Sequence, residues 1–318
     1  MKLRDWLPLI LTVVVFGFFT IKDSSVFNFG YLLYSSSLYA EAGLLALGMT
    51  FVICSGSIDL SVGSNLILTA CITAKLMEAG VPIPVALGLS LVCGTLFGLI
   101  NGTLVAGLKL PPFLVTVGTM AAFRGAAQAL VGPSSVKIPA SLKGIDKQTF
   151  LFLPIPILLT VIVAVGAWFL LHRTVFGRWV LSTGSSERVS TYSIVPVTRV
   201  RLTVFALTGF LAGLGSILLL SRLGVARHDL LPGVELDAIT MVVVGGTAIA
   251  GGRGTIFGTV SALFLILVIK TGMGVANIKA EYQLTIIGFI LIASVLAQNW
   301  DQNRSKRIKY RSDGAVST

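Results

Sequence analysis

The sequence predicts an all-α fold: a polytopic transmembrane helical bundle of about ten spans, some of them broken or re-entrant, in a single domain over residues 1–318. Three observations carry that prediction. The chain is 55% hydrophobic and only 12% charged, where a soluble domain carries about 25% charged residues. Apolar segments of membrane length recur from one end to the other, each judged against the requirement of about 20 apolar residues, with about 17 tolerated. The 34 glycines are spread through those segments, which lets helix backbones approach closely where lipid offers no hydrophobic drive for association.

Taken in order, the candidate spans are 7–21, 38–55, 60–77, 83–106, 113–131, 151–171, 201–221, 238–251, 255–272 and 282–298. Met1 to Arg4 followed by Leu7 to Ile21 has the charge and length of a signal peptide. No A-x-A-like cleavage site follows and further spans do, so an uncleaved first span is expected. Gly56-Ser57-Ile58-Asp59-Leu60-Ser61-Val62-Gly63 breaks the second span from the third. The eighth candidate, 238–251, is short enough for a broken or re-entrant helix. Gly245, Gly246, Gly251, Gly252 and Gly254, with Arg253 among them, suggest a tight turn at its cytoplasmic end. Gly209, Gly213 and Gly215 read as helix packing. The longest polar interval, His172 to Arg201, interrupts the apolar pattern with five arginines, Glu187 and the small-residue cluster Ser182 to Ser186, which can N-cap a short helix. Such a stretch is a surface that a soluble partner can grip.

Charge placement tests the count. An even number of spans puts both termini on one side. With that side cytoplasmic, Lys2, Arg4, Lys109, Arg173, Arg178, Arg188, Arg199, Arg201, Arg253, Arg304, Lys306, Arg307, Lys309 and Arg311 gather inside. The outer side keeps half as many: Lys22, Lys137, Lys143, Lys147, Arg222, Arg227 and Lys279. This asymmetry follows the positive-inside rule. It places residues 172–201 and a basic tail, 299–318, in the cytoplasm, and it accounts for the net charge of +11 without nucleic acid as a partner. Cys54, Cys71 and Cys93 lie in apolar stretches without metal-ligand spacing and read as small core residues, so neither a metal nor a cofactor is expected. No G-x-x-x-x-G-K-[ST] occurs, so the chain carries no Walker A loop.

Charges within spans cost about 2.5–3.5 kcal/mol each at a helix centre and need a reason. Asp59 reads either as the N-cap of the third span or as part of a gate or interface. Glu41 begins the second span, and Arg124, midway in the fifth, snorkels or pairs inside the bundle. Asp229, Glu235 and Asp237 cluster before the eighth span, and a solvated outer loop is the expected reading for them.

Four segments carry a family resemblance: Gly56 to Gly63, Asn101 to Gly125, Thr174 to Ile194 and Gly233 to Thr259. In that order they resemble the ribose-type sugar permeases of bacterial ATP-binding cassette (ABC) importers, within the branched-chain amino acid and ribose permease superfamily. The likeness runs from about residue 40 to 298. Two departures stand out. Ser57 replaces the second glycine of the family's Gly-Gly-Ile-Asp-Leu-Ser, and the usual Ala-Ala pair after Glu187 is Arg188 and Val189, with Ser193 where a glycine is usual. The loop is thus similar to a divergent branch that includes the permeases of autoinducer-2 importers.

The resemblance implies a subunit of the bacterial inner membrane with no catalytic site of its own. Its partners would be a cytoplasmic ABC ATPase, a periplasmic solute-binding protein and a second permease subunit, the same or a sister chain. The solute would be small and sugar-like. The loop 172–201 then becomes a coupling loop, with Gly184, Glu187 and Ile194 matching the family's ATPase-contacting motif and Arg188 and Val189 completing the contact on a short helix at 184–194. Broken spans mark solute sites in transporters, which places Asp59, Ser61, Ser64, Thr116 and Thr119 along a path or gate. Hydroxyls that only bond back to their own helices are the alternative. A stand-alone secondary transporter or channel is the other function class, and it would use ion-coupling acids in mid-span.

Overall fold

In a computed structural model of the protein, residues 3–22, 29–150 and 152–314 are described. The side chains of 301–314, with residues 315–318 and Lys2, lie outside that description, so the expected basic tail is seen only as far as helix backbone. Thirteen helices make up the described chain. They are α1 (Leu3–Lys22), α2 (Phe29–Leu38), α3 (Ala40–Cys54), α4 (Val62–Glu78), α5 (Ile83–Gly102), α6 (Pro112–Val131), α7 (Ile155–Arg173), α8 (Val175–Ser185), α9 (Glu187–Tyr192), α10 (Val197–Leu223), α11 (Val234–Val244), α12 (Ile256–Val275) and α13 (Ala280–Gly314). A π-helical turn, Thr103–Gly107, extends α5. A 3-10 turn, Ile145–Lys147, and four two-residue strands, β1 (Val136–Lys137), β2 (Thr149–Phe150), β3 (Leu153–Pro154) and β4 (Val225–Ala226), complete it. β1 pairs antiparallel with β4, Val136 opposite Ala226, and β2 forms a hairpin with β3.

Every candidate span overlaps a helix, although 238–251 runs past the end of α11 into a turn, and the count of ten is loose against the helices fit to cross a bilayer. Among the described residues, six are long and apolar enough by length and composition: Ile83–Gly107, Pro112–Val131, Ile155–Arg173, Val197–Leu223, Ile256–Val275 and Glu281–Trp300. Pro8–Ile21 and Ala40–Cys54 are shorter apolar helices. α11 has 11 residues, a rise of about 16 Å at 1.5 Å per residue, roughly half of a 30 Å hydrocarbon core. Burial explains how the short ones persist. All fifteen residues of α3 are buried, as is α11 except for Leu236 and Val244. Helices wrapped in protein are free of the length that lipid imposes. The expected span 38–55 is also interrupted at Tyr39, and α2 occupies part of what reads as an outer loop.

α3 forms the centre, packed by α10, α11, α7 and α12. The tightest pairing is α5 against α10, where glycine faces glycine. A Cβ on Gly94 would lie 2.5 Å from the Gly209 carbonyl oxygen and 2.7 Å from the Gly213 nitrogen. The approach lets Ser90 and Ser216 share a 2.7 Å hydroxyl contact, while Asn65 Nδ2 donates to the Gly94 carbonyl at 3.1 Å.

Gly209→Ala is expected to destabilise the bundle by about 1–3 kcal/mol, the usual effect of overpacking. Gly118→Ala, on an open face of α6 with nothing within 4 Å, is expected to leave stability unchanged or slightly raised. Thermal unfolding of the purified protein in detergent checks both.

Candidate functional site

The polar interval 172–201 is a helical structure rather than a loop. α7 ends at Arg173, and Thr174 caps α8: its hydroxyl accepts from Gly177 N at 3.2 Å and donates to the Leu170 carbonyl at 2.6 Å. Gly177 has no room for a side chain against the Leu171 carbonyl, which permits the sharp entry into α8. Ser186 then caps α9, accepting from Val189 N at 3.3 Å, as the serine cluster predicts. α9 is tied down by a Ser182–Ser190 hydroxyl contact of 2.8 Å and by Arg201 Nη2, which donates to Glu187 Oε2 at 2.8 Å.

The outer surface of this unit presents three large apolar side chains among polar ones. Val189 is 61% exposed, Tyr192 83% and Ile194 92%, while Arg188 is exposed beside them. Ile194 holds φ +61°, a left-handed conformation that β-branched residues rarely adopt. Hydrogen bonds from Ile194 N to Thr191 O and from Val195 N to Ser190 O keep it there.

The inner surface of α8 meets both glycine-rich breaks of the bundle. Gly184 packs against the Cys54 carbonyl, where α3 ends, and against the backbone of Gly252. Gly252 N donates to that same Cys54 carbonyl at 2.9 Å. A Cβ on Gly251 would lie 2.8 Å from Gly56 Cα, and Gly56, Gly251 and Gly252 all have φ between +75° and +87°. Three segments distant in sequence thus touch backbone to backbone, which only glycine permits. Of the sequence-derived coupling residues, Gly184 belongs to this junction, Glu187 pairs with α10, and Arg188, Val189 and Ile194 face outward.

The break between α3 and α4 is organised by Asp59. Its Oδ1 accepts from Ser61 N at 2.9 Å and from Ser61 Oγ at 2.7 Å. Asp59 is therefore not the cap of α4. Ser61 occupies the N-cap position without a side-chain cap bond, and Asp59 closes the turn before it. Asn101, at the end of α5, donates to Ser61 Oγ at 2.6 Å. Thr116 Oγ1 reaches Ile58 O at 3.2 Å and its own helix at Pro112 O, 2.9 Å. Ser64 donates to Ser61 O at 2.8 Å, and Thr119, nearly a turn beyond Thr116, donates to Val115 O at 3.1 Å. Asp59, Ser61, Ser64 and Thr116 come together, buried, while Thr119 stands apart and half-buried. In this conformation each of these hydroxyls already donates within the protein.

The acids before the eighth span are not one solvated cluster. Only Asp229 is exposed, and two hydrogen bonds from Arg227, at 2.9 and 2.5 Å, hold its carboxyl below the usual carboxylate range. Glu235 and Asp237 are buried and face Arg124 and Lys270 respectively, and Glu41 accepts from Arg222 Nε at 2.9 Å. Sequence reading missed Asn101 and Arg201 as site residues. Asn101 ends an otherwise apolar helix, which marks it in retrospect; nothing in the sequence marks Arg201 as the partner of Glu187.

Between α9 and the α5–α6 connection opens a cleft of about 790 Å³, lined by Gly56, Val105, Ala106, Lys109 to Pro112, Glu187, Thr191 and the start of α10. One wall is the π-helical turn and the other is the α9 unit.

A multi-pass membrane bundle whose broken interior helices join a surface helix pair defines a transport permease. The chain belongs to the family described as branched-chain amino acid transport system / permease component, whose model matches residues 28–295. It is 35% identical over 301 residues to the autoinducer 2 import system permease protein LsrD of Yersinia enterocolitica, covering 92% of this chain and 91% of the relative. The same protein of Yersinia pestis is 35% identical over 303 residues, with 93% and 90% covered, and that of Yersinia pseudotuberculosis gives the same figures. No solved structure matches.

Replacing Gly184 by alanine is expected to pry α8 from the Cys54 carbonyl and loosen α9. Limited trypsin digestion of the purified protein checks this: cleavage after Arg188 becomes faster in Gly184→Ala and stays unchanged in Gly118→Ala.

Proposed function

We propose that the chain is the membrane permease subunit of a bacterial inner-membrane ABC importer, with both termini cytoplasmic, carrying autoinducer 2 or a related small sugar-like solute inward. The single observation behind the coupling mechanism is the glycine junction. The unit bearing exposed Val189, Tyr192 and Ile194 is welded through Gly184 to the end of α3, to the 55–61 break and to the turn before α12. A separate ATPase subunit gripping that apolar surface would move the breaks directly. Such a bundle shifts only if the ATPase contacts its two states differently, and the α9 unit supplies the differential contact.

Asp59, Ser61, Ser64 and Thr116 then form the inner closure of the path. Their internal hydrogen bonds keep it shut in this conformation and become available to solute hydroxyls when the break moves, with Thr119 next along α6. A periplasmic binding protein delivers the solute, and a second permease subunit completes the path. The relatives' solute and the departures in the coupling loop favour the autoinducer-2 branch over ribose. The secondary-transporter reading is disfavoured because Glu41, Glu235 and Asp237 each face a basic side chain and Asp59 accepts from Ser61, which neutralises or engages all four of these interior acids.

Reporter fusions after Arg188 and after Arg311 are expected to report cytoplasm, and a fusion near Lys143 the outer side. Glu187→Arg sets a like charge against Arg201, and Ile194→Asp charges the apolar surface. Losing an interface anchor costs about 2 kcal/mol or more, over tenfold in affinity. Each variant is therefore expected to abolish autoinducer-2 uptake by vesicles holding the partner ATPase and binding protein, at unchanged permease abundance. Normal uptake by both would contradict the coupling assignment, and a periplasmic reporter signal at Arg188 would contradict the topology.

A further inference from the structure

Among the described residues, three ion pairs lie within the bundle, and one is built unlike the others. Arg222 Nε is 2.9 Å from Glu41 Oε1, and Lys270 donates a direct hydrogen bond to Asp237. Between Arg124 Nη2 and Glu235 Oε2 the separation is 3.6 Å, beyond hydrogen-bond reach. Each of the three acids has one buried oxygen without a hydrogen-bond partner, but in Glu41 and Asp237 it is the oxygen turned away from the cation, whereas in Glu235 it is Oε2, the oxygen that faces Arg124. An unsatisfied charged oxygen in such surroundings is costly and marks function more often than structure.

The surroundings show what the gap could hold. Glu235 lies in the first turn of α11, where the helix dipole favours its negative charge. Gly63, at the start of α4, lies beneath it: a Cβ there would sit 2.5 Å from Glu235 Oε2 and 2.7 Å from Val234 Cγ1. The Arg124 side chain is 31% exposed, on a helix whose Gly118 and Gly125 face open space. Arg124 also lies eight residues beyond Thr116, about 12 Å along α6 at 1.5 Å per residue. The pair thus stands outward along α6 from the Asp59–Ser61–Thr116 closure, with Gly63, the end of the first break, against its carboxylate.

We propose that Arg124 and Glu235 form a solute-contact site, an outer tier of the path. The guanidinium donates to, and the carboxylate accepts from, hydroxyls of a neutral polyhydroxylated solute that inserts between them. A donor and an acceptor held just too far apart to satisfy each other suit a ligand carrying both functions in each hydroxyl. A solute lacking hydroxyls would leave both charges unpaired, so the pair selects as well as binds. This assignment rests on the importer reading above.

The test uses the assembled importer in proteoliposomes, with autoinducer 2 and D-ribose as probes, and reads ATP hydrolysed per molecule imported. A mere brace between α6 and α11 would leave that ratio unchanged, since a loosened bundle loses both activities together. Arg124→Gln and Glu235→Gln are each expected to raise the ratio about tenfold, the effect of losing one charge-assisted hydrogen bond in transit. The double exchange Arg124→Glu with Glu235→Arg is expected not to restore it, because donor and acceptor then face the wrong walls. Gly63→Ala, which keeps both charges but presses on the carboxylate, is expected to raise it too, and remains informative if the charge variants fail to insert. An unchanged ratio in the inserted variants, or restoration by the exchange, would overturn the assignment alone. An unmodified complex that hydrolyses ATP but imports neither probe would overturn the importer reading and this site with it.

Discussion

The contact on which the rest of the structure depends is the one between Gly184 and the carbonyl of Cys54, a place where no side chain fits. Across it, a surface helix pair and the most buried helix of the bundle share backbone contact. The Cys54 carbonyl also accepts from Gly252 N, so the ends of α3, α8 and the turn before α12 are held at one point. Side chains would let these segments slide on soft contacts. Bare backbones in van der Waals contact transmit displacement instead, because packed interiors are weakly compressible. The exposed Val189, Tyr192 and Ile194 beyond the junction, and the Asp59 turn behind it, then belong to one mechanical unit.

Interior helices make that unit possible. α3 and α11 are too short to cross a bilayer, yet they run through the middle of the molecule with their ends inside or near it. Their broken ends are satisfied locally. Gln298 of α13 donates to the carbonyls of Val243 and Thr247 at the end of α11, at 2.8 and 3.1 Å, and Ser61, Asn101 and Thr116 gather around the break after α3. Irregular backbone at membrane depth survives only where protein or a cavity supplies such partners. The ion pairs Glu41–Arg222 and Asp237–Lys270 follow the same rule, joining α3 to α10 and α11 to α12.

Much of this was legible in the chain. Apolar runs located the helices, and the serine cluster placed the cap of α9 at Ser186. The glycine runs at 56–63 and 245–254 marked breaks, because no other residue makes their left-handed turns cheaply. What sequence could not carry was pairing at a distance. Glu235 and Asp237 look like loop acids until Arg124 and Lys270 arrive from other helices. Asp59 has the sequence of a cap, and only the positions of Ser61 and Asn101 show that it closes a turn. The span count is loose because a hydropathy ruler cannot tell a helix buried in protein from one bathed in lipid.

The claim that α9 moves as a body with the broken helices is tested most directly at the cleft it borders. Spin labels at Lys109→Cys and Thr191→Cys, both exposed and on opposite walls, would be introduced after replacing Cys54, Cys71 and Cys93, and their separation measured by pulsed electron resonance in the assembled complex with and without ATP. A change of more than about 2 Å, the scale of helix shifts in switching interfaces, is expected on ATP binding. Identical distance distributions in the two states, in a complex that transports, would contradict it.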